Sequence, residues 1–139
     1  DIKAMRTRSG HTLEFNDADG AESITLTDKK GNVIHIDTAN NNIEISALEN
    51  MTLNAKNINI KAQENIDMSA GKNFTKSVAE NYQVMSKNTS LITEDEHLTD
   101  AKKQQHVADE ITISSNKENL TLASGKTVDV QSEEKVKLF

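Results

Sequence analysis

Cysteine and tryptophan are absent from the 139 residues, aromatic side chains make up only 3%, and mean hydropathy is −0.64. Without cysteine there is no disulfide, no thiolate metal site and no thiol nucleophile. A self-contained domain usually has roughly half its residues apolar and several large aromatics at its centre. Here 35% are hydrophobic, and the aromatics are Phe15, Phe74, Phe139 and Tyr82. That shortage leaves disorder, a coiled coil, or a repetitive assembly whose core neighbouring chains complete. Apolar runs of two or three residues fall far short of the roughly 20 that a membrane helix needs, and no charged start followed by an apolar run marks a signal peptide. The chain reads as soluble. Its 16 Lys and Arg are scattered among 22 Asp and Glu, for a net charge of −6, so nucleic acid is not expected as a partner.

What the sequence does contain is a period. Ile43-Glu-Ile45-Ser-Ala47 is followed by Met51-Thr-Leu53-Asn-Ala55, Ile58-Asn-Ile60-Lys-Ala62 and Ile66-Asp-Met68-Ser-Ala70. Weaker copies start at Phe74, Tyr82, Thr89, His97 and Gln105, and strong ones return at Ile111, Leu120, Val128 and Val136, which makes thirteen copies. The first and third positions are mostly apolar and the one between is polar, the strand period of two rather than the helical 3.6. A coiled coil is therefore disfavoured. The fifth position is small, as at Ala47, Ala55, Ala62, Ala70, Ala101, Ser115, Ser124 and Ser132, which suits a crowded corner. Asn precedes many of the strand starts (Asn50, Asn57, Asn65, Asn73, Asn81, Asn88, Asn119), where its tolerance of left-handed backbone and its side-chain hydrogen bonding favour a turn.

One short strand with two or three buried side chains does not offset the entropy of ordering eight residues, so the strands must stack. A single-chain parallel β-helix and a three-chain intertwined β-helix both do this. The scarcity of large hydrophobes favours three chains around a thin axis filled by Ile, Leu, Val and Met. The predicted fold is thus all-β, a trimeric intertwined β-helix of octads over residues 43–139. Residues 1–42 form a wider β transition section with alternating pairs Leu13/Phe15, Ile24/Leu26 and Ile34/Ile36, and the turns around Gly20 and Gly31 read as hairpins or wide turns. At about 4.8 Å per strand, thirteen octads give a shaft on the order of 60 Å.

The stretch Arg6-Thr-Arg-Ser-Gly10-His-Thr-Leu-Glu-Phe15-Asn-Asp17, with Asp19-Gly20, Ile24-Thr-Leu26 and Lys30-Gly31-Asn32, followed by octads ending in Ala, resembles the C-terminal needle of VgrG, the valine-glycine repeat spike of bacterial type VI secretion, and the related needles of contractile phage tails. The resemblance covers nearly the whole chain. It implies a homotrimer at the tip of a contractile machine, carrying a PAAR-type tip protein and effectors. Upstream, it implies hub domains with an oligonucleotide/oligosaccharide-binding fold, which are not in the sequence given, and a tail tube. The needle would be assembled in the bacterial cytoplasm, driven through a target membrane in transient contact, and delivered to the target cell or medium. Val136, Leu138 and Phe139 would form the distal contact. The valine-glycine signature itself is not evident, and copies from 74 to 109 are unusually polar.

Several residues invite sharper chemistry. Asp17, Asp19 and Gly20 resemble the start of a calcium loop, but the twelve-residue pattern with its closing Glu is missing, so a structural turn is preferred. Among His11, His35, His97 and His106, His97 stands at a strand start, where a trimer would bring three imidazoles together; an outward or water-facing side chain is the simpler reading. Lys76 occupies a third position that is normally apolar, where an inward ammonium would need a partner. The sequons at Asn50, Asn73, Asn88 and Asn119 follow from the repeat itself. The run from Glu94 to Gln105 is too polar for a packed helix. No nucleophile elbow, phosphate loop, zinc-protease motif or carboxylate cluster stands out, so neither a cofactor nor an enzyme is expected. The alternatives are a phage or pyocin-like tail needle and, in another class, a single-chain β-solenoid carbohydrate-active enzyme or a fibre adhesin.

Overall fold

The computed structural model describes all of residues 1–139, in two units, Asp1–Ser77 and Val78–Phe139. The chain is all-β and contains no helix. Five strands, β1 (Ile2–Arg6), β2 (Thr12–Asn16), β3 (Ser23–Thr27), β4 (Val33–Asp37) and β5 (Asn42–Ser46), form an open antiparallel sheet in sequence order. The pairs Leu13/Phe15, Ile24/Leu26 and Ile34/Ile36 lie in β2, β3 and β4. The Ile43/Ile45 pair of the first octad is part of the sheet, as β5.

Short turns make this meander. At β1–β2 the Thr7 N–H donates to His11 O (2.9 Å) and the Gly10 N–H to Thr7 O (3.0 Å). The β3–β4 turn repeats the design, with Asp28 N–H to Asn32 O (3.1 Å) and Gly31 N–H to Asp28 O (3.3 Å). Gly10 and Gly31 have φ of 98° and 102°, the left-handed position that a tight hairpin of this kind gives to glycine. The Gly20 turn is also a hairpin, and Asn41 (φ 58°) turns the chain from β4 into β5.

Register sorts the side chains into two faces. One face carries the rows Lys3, Phe15, Ile24, Ile36, Ile43 and Met5, Leu13, Leu26, Ile34, Ile45; the other carries rows such as Ala4, Glu14, Thr25, His35, Glu44. The usual burial is inverted. In β3 and β4 the isoleucines and leucine are exposed, while Ser23, Thr25, Thr27, His35 and Asp37 between them are half-buried. No residue of the chain is buried.

Beyond Ser46 in the first unit, and throughout the second, the backbone runs in extended segments separated by bends, at 48–49, 56, 63–64, 71–72, 79–80, 87, 94–95, 102, 109, 116–118, 125–126 and 133–134. These segments form no strand pairing and no backbone–backbone hydrogen bond within either unit. The sequence has no proline, so no octad lacks the N–H that a ladder would use.

The bends are built differently from the expected left-handed asparagine turns. Asn41 is the one non-glycine residue with positive φ, and Gly71 and Gly125 have none, so the Asn residues before the octads stay in ordinary backbone regions. A hairpin reverses the chain; a corner only deflects it, and no left-handed residue is required. The small fifth-position serines instead tie the corners. Ser124 Oγ accepts from Lys126 N–H (3.1 Å), Ser132 Oγ accepts from Glu134 and Lys135 N–H (3.3 and 3.2 Å), and Ser86 Oγ meets Thr89 Oγ1 at 2.6 Å.

Candidate interaction surface

Alternation places each octad's first and third residues on one side of its segment, the inner face. The apolar first-position residues from Met51 to Val136 are 46–61% exposed in the single chain, against 80–94% for Met85, Ile92, Leu98 and Val107. Met85, Ile92 and Leu98 stand at second or fourth positions, on the outer side. Val107 counts as a third position when its octad is started at Gln105, yet it is the most exposed of the four, at 94%. The bend at 102 starts this segment one residue earlier, so its inner residues are Gln104, His106 and Ala108. The ninth copy therefore begins at Gln104, not Gln105, which restores a small fifth residue, Ala108.

The inner face starts on the sheet. Leu26, Ile34 and Ile45 line an open, mostly apolar groove together with His11 and Met51, so the sheet's apolar face runs into the first extended segment. Asn32 holds this junction: its Oδ1 accepts from Leu48 N–H (2.9 Å) and its Nδ2 donates to Asp28 Oδ2 (2.7 Å). Asp28 Oδ1 also accepts from the N–H groups of Lys30, Gly31 and Asn32. These bonds, with the Asn32 side chain first, lower the Asp28 pKa to about 2. Asp37 is lowered in the same direction, chiefly by the Asn40 side chain.

The histidines and acids single out no pre-formed site within one chain. His35 lies on the polar face with Nδ1 2.8 Å from Thr25 Oγ1. His97 is 3.2 Å, through Nε2, from Thr99 Oγ1. Asp17 pairs weakly with Lys3 at 4.0 Å, between exposed side chains, and no group of three His, Asp or Glu is arranged to hold a metal. Lys76 stands over the Phe74 ring, its Nζ 5.2 Å from the centroid, as first and third positions of one face would. Val136 and Leu138 share the inner face of the last segment, and Phe139 is fully exposed. No helix is long and apolar enough to cross a membrane.

Comparison with known proteins yields no match: no family model fits any part of the chain, and no curated protein is significantly similar to it.

Proposed function

We propose that the chain is one strand of a homotrimeric, intertwined β-helical needle, the puncturing spike of a contractile injection machine of the type VI secretion kind. The observation that carries this reading is the run of extended, regularly bent segments with an apolar inner face and no ladder of their own. A single-chain solenoid pairs each strand with the next turn of the same chain. Nothing of that kind is formed here, which favours strands contributed in rotation by other copies. The uncovered apolar rows of the sheet point the same way, since a soluble monomer rarely exposes so continuous a face.

The role is mechanical rather than catalytic. Backbone hydrogen bonds between stacked strands would run along the axis and share a compressive load. Unwinding one chain requires displacing the other two, so dissociation is slow. An outer face rich in Thr, Asn, Asp, Glu and Lys, interrupted by Met85, Ile92, Leu98 and Val107, would limit lodging in lipid. The upstream hub and tail tube, the PAAR-type tip protein at Val136, Leu138 and Phe139, the effectors and the target membrane belong to the proposal through the resemblance to VgrG needles. A phage or pyocin-like tail needle is the same architecture in another machine.

Mass in solution tests the reading. Sedimentation equilibrium should give three times the 15.3 kDa of one chain, persisting on dilution. A stable monomer would sink the intertwined trimer.

A further inference from the structure

The bends between the extended segments carry charge, and its sign alternates along the chain. Glu49, Lys56, Glu64, Lys72, Glu80 and Lys87 stand in the first six bends, one charged residue in each. The next three continue the order with Glu94 and Asp95, then Lys102, then Asp109. The tenth bend holds both signs, Lys117 and Glu118; after it come Lys126 and then Glu133 with Glu134, which outweigh the Lys135 that follows. Lys117 can answer the acid before it and Glu118 the lysine after it, so each bend complements the next. All of these side chains are exposed, and none makes an ion pair within the chain. A whole extended segment of roughly 20 Å separates one bend from the next, which puts them beyond each other's reach in a single copy.

On the trimer proposed above, each chain moves to the next face after every octad, and the following octad of a neighbouring copy takes the adjacent layer. A bend of one copy then lies about 4.8 Å along the axis from the next bend of its neighbour. That spacing is inside the Debye length of about 8 Å at physiological salt. Bends of like sign, two layers away, lie about 10 Å apart and are largely screened. Attraction between adjacent layers therefore outweighs repulsion between alternate ones. The order of the signs also separates one chain from three. A single-chain coil with three octads per turn stacks each bend on the third one after it, setting Lys102 against Lys126 and Asp109 against Glu133 and Glu134, like on like. Stacking each bend on the next, as three chains in rotation do, meets a partner of opposite sign throughout.

We infer that each charged bend pairs with the next bend of a neighbouring copy, forming an interchain ion-pair ladder along every corner of the trimer. The ladder rests on the trimeric reading. One exposed pair is weak, and the effect comes from a network repeated at three corners. The test is a double-mutant cycle on the full chain, Lys126→Glu, Glu133→Lys and both together, read by thermal unfolding at low salt. Each single reversal sets like charges side by side and is expected to lower the midpoint by a few degrees. The double variant keeps the net charge and should return to the parent value, because the mixed tenth bend accepts either sign beside it. In 1 M NaCl, where the Debye length is about 3 Å, the differences should vanish. A single-chain coil makes the opposite prediction for Lys126→Glu, which would relieve its contact with Lys102 and raise the midpoint. Losses that add in the double variant, or single reversals without effect, overturn the ladder. Sedimentation of the same samples separates the two levels: a trimer without coupling overturns the ladder alone, and a monomer overturns the trimer on which it rests.

Discussion

The Asn32 side-chain oxygen accepts the Leu48 backbone N–H at 2.9 Å across sixteen residues of sequence, fastening the β3–β4 turn to the point where the chain leaves the sheet. The same amide donates to Asp28 Oδ2, so one side chain links turn, carboxylate and exit segment. Asn32→Ala removes both bonds at once. The expected loss is about 1 kcal/mol in the stability of the assembled protein, because the groups left behind are partly solvated. Amide hydrogen exchange at Leu48 should quicken, and the Asp28 carboxyl should titrate closer to its ordinary range.

Acid should loosen the β3–β4 and β4–β5 turns. A carboxylate whose pKa is lower in the folded chain than in the unfolded one stabilises the fold above the unfolded value, and that stabilisation is lost as pH falls through the folded value. For Asp28 the window runs from the ordinary 3.8 down to about 2; Asp37 behaves in the same sense. Carbon-detected NMR of the side-chain carboxyls reads both titrations directly. Asp28→Asn should remove the acid-dependent loosening of the β3–β4 turn, and an Asp28 that titrates near 3.8 would contradict the capping geometry.

Inner and outer faces should differ sharply in their tolerance of charge. Ile60→Asp puts three carboxylates inside the proposed trimer, each with a desolvation cost of several kcal/mol, and should abolish assembly. Lys61→Asp, on the outer side of the same segment, should leave the sedimentation profile and thermal unfolding nearly unchanged. Equal effects of the two substitutions would mean that the octads have no inner face.

The one-residue shift in the ninth octad makes a separate prediction. Val107→Ser should change stability by no more than about 0.5 kcal/mol, as an exposed substitution does, whereas His106→Leu should raise the melting temperature by extending the apolar inner face. Strong destabilisation by Val107→Ser would return this segment to a start at Gln105.

Much of this architecture is legible in the residues, and the gaps have physical causes. Alternating pairs such as Ile24/Leu26 and Ile34/Ile36 announce strands because the pleat gives them a period of two. β1 escapes notice because its alternation places Lys3 and Met5 on the apolar face and Ile2 on the other, with no clean pair. The ninth octad is misread because Gln104 and Gln105 are equally polar and Val107 offers an apolar third position, while the bend that sets its phase lies in the backbone. The asparagines before the octads suggest left-handed turns, and the serine-tied corners do not need them. The lack of strand pairing beyond Ser46 leaves no mark in composition at all, although it carries the argument for partner strands.

The repeats are close to interchangeable, which sets a problem of alignment. In the proposed trimer, three chains slipped by a whole octad would match inner face to inner face almost as well as three in register, and on that face the error would show only at the ends. The sheet of residues 2–46 has no such ambiguity, because each strand pairs with its neighbour in sequence through a short hairpin. Hairpins of this kind close in about 1–10 μs, well ahead of any encounter between chains at ordinary concentration. The sheet can thus serve as a common starting mark from which three chains zip in phase, and a chain shortened to residues 47–139 should refold into rods of unequal stagger, visible as ragged lengths in electron micrographs.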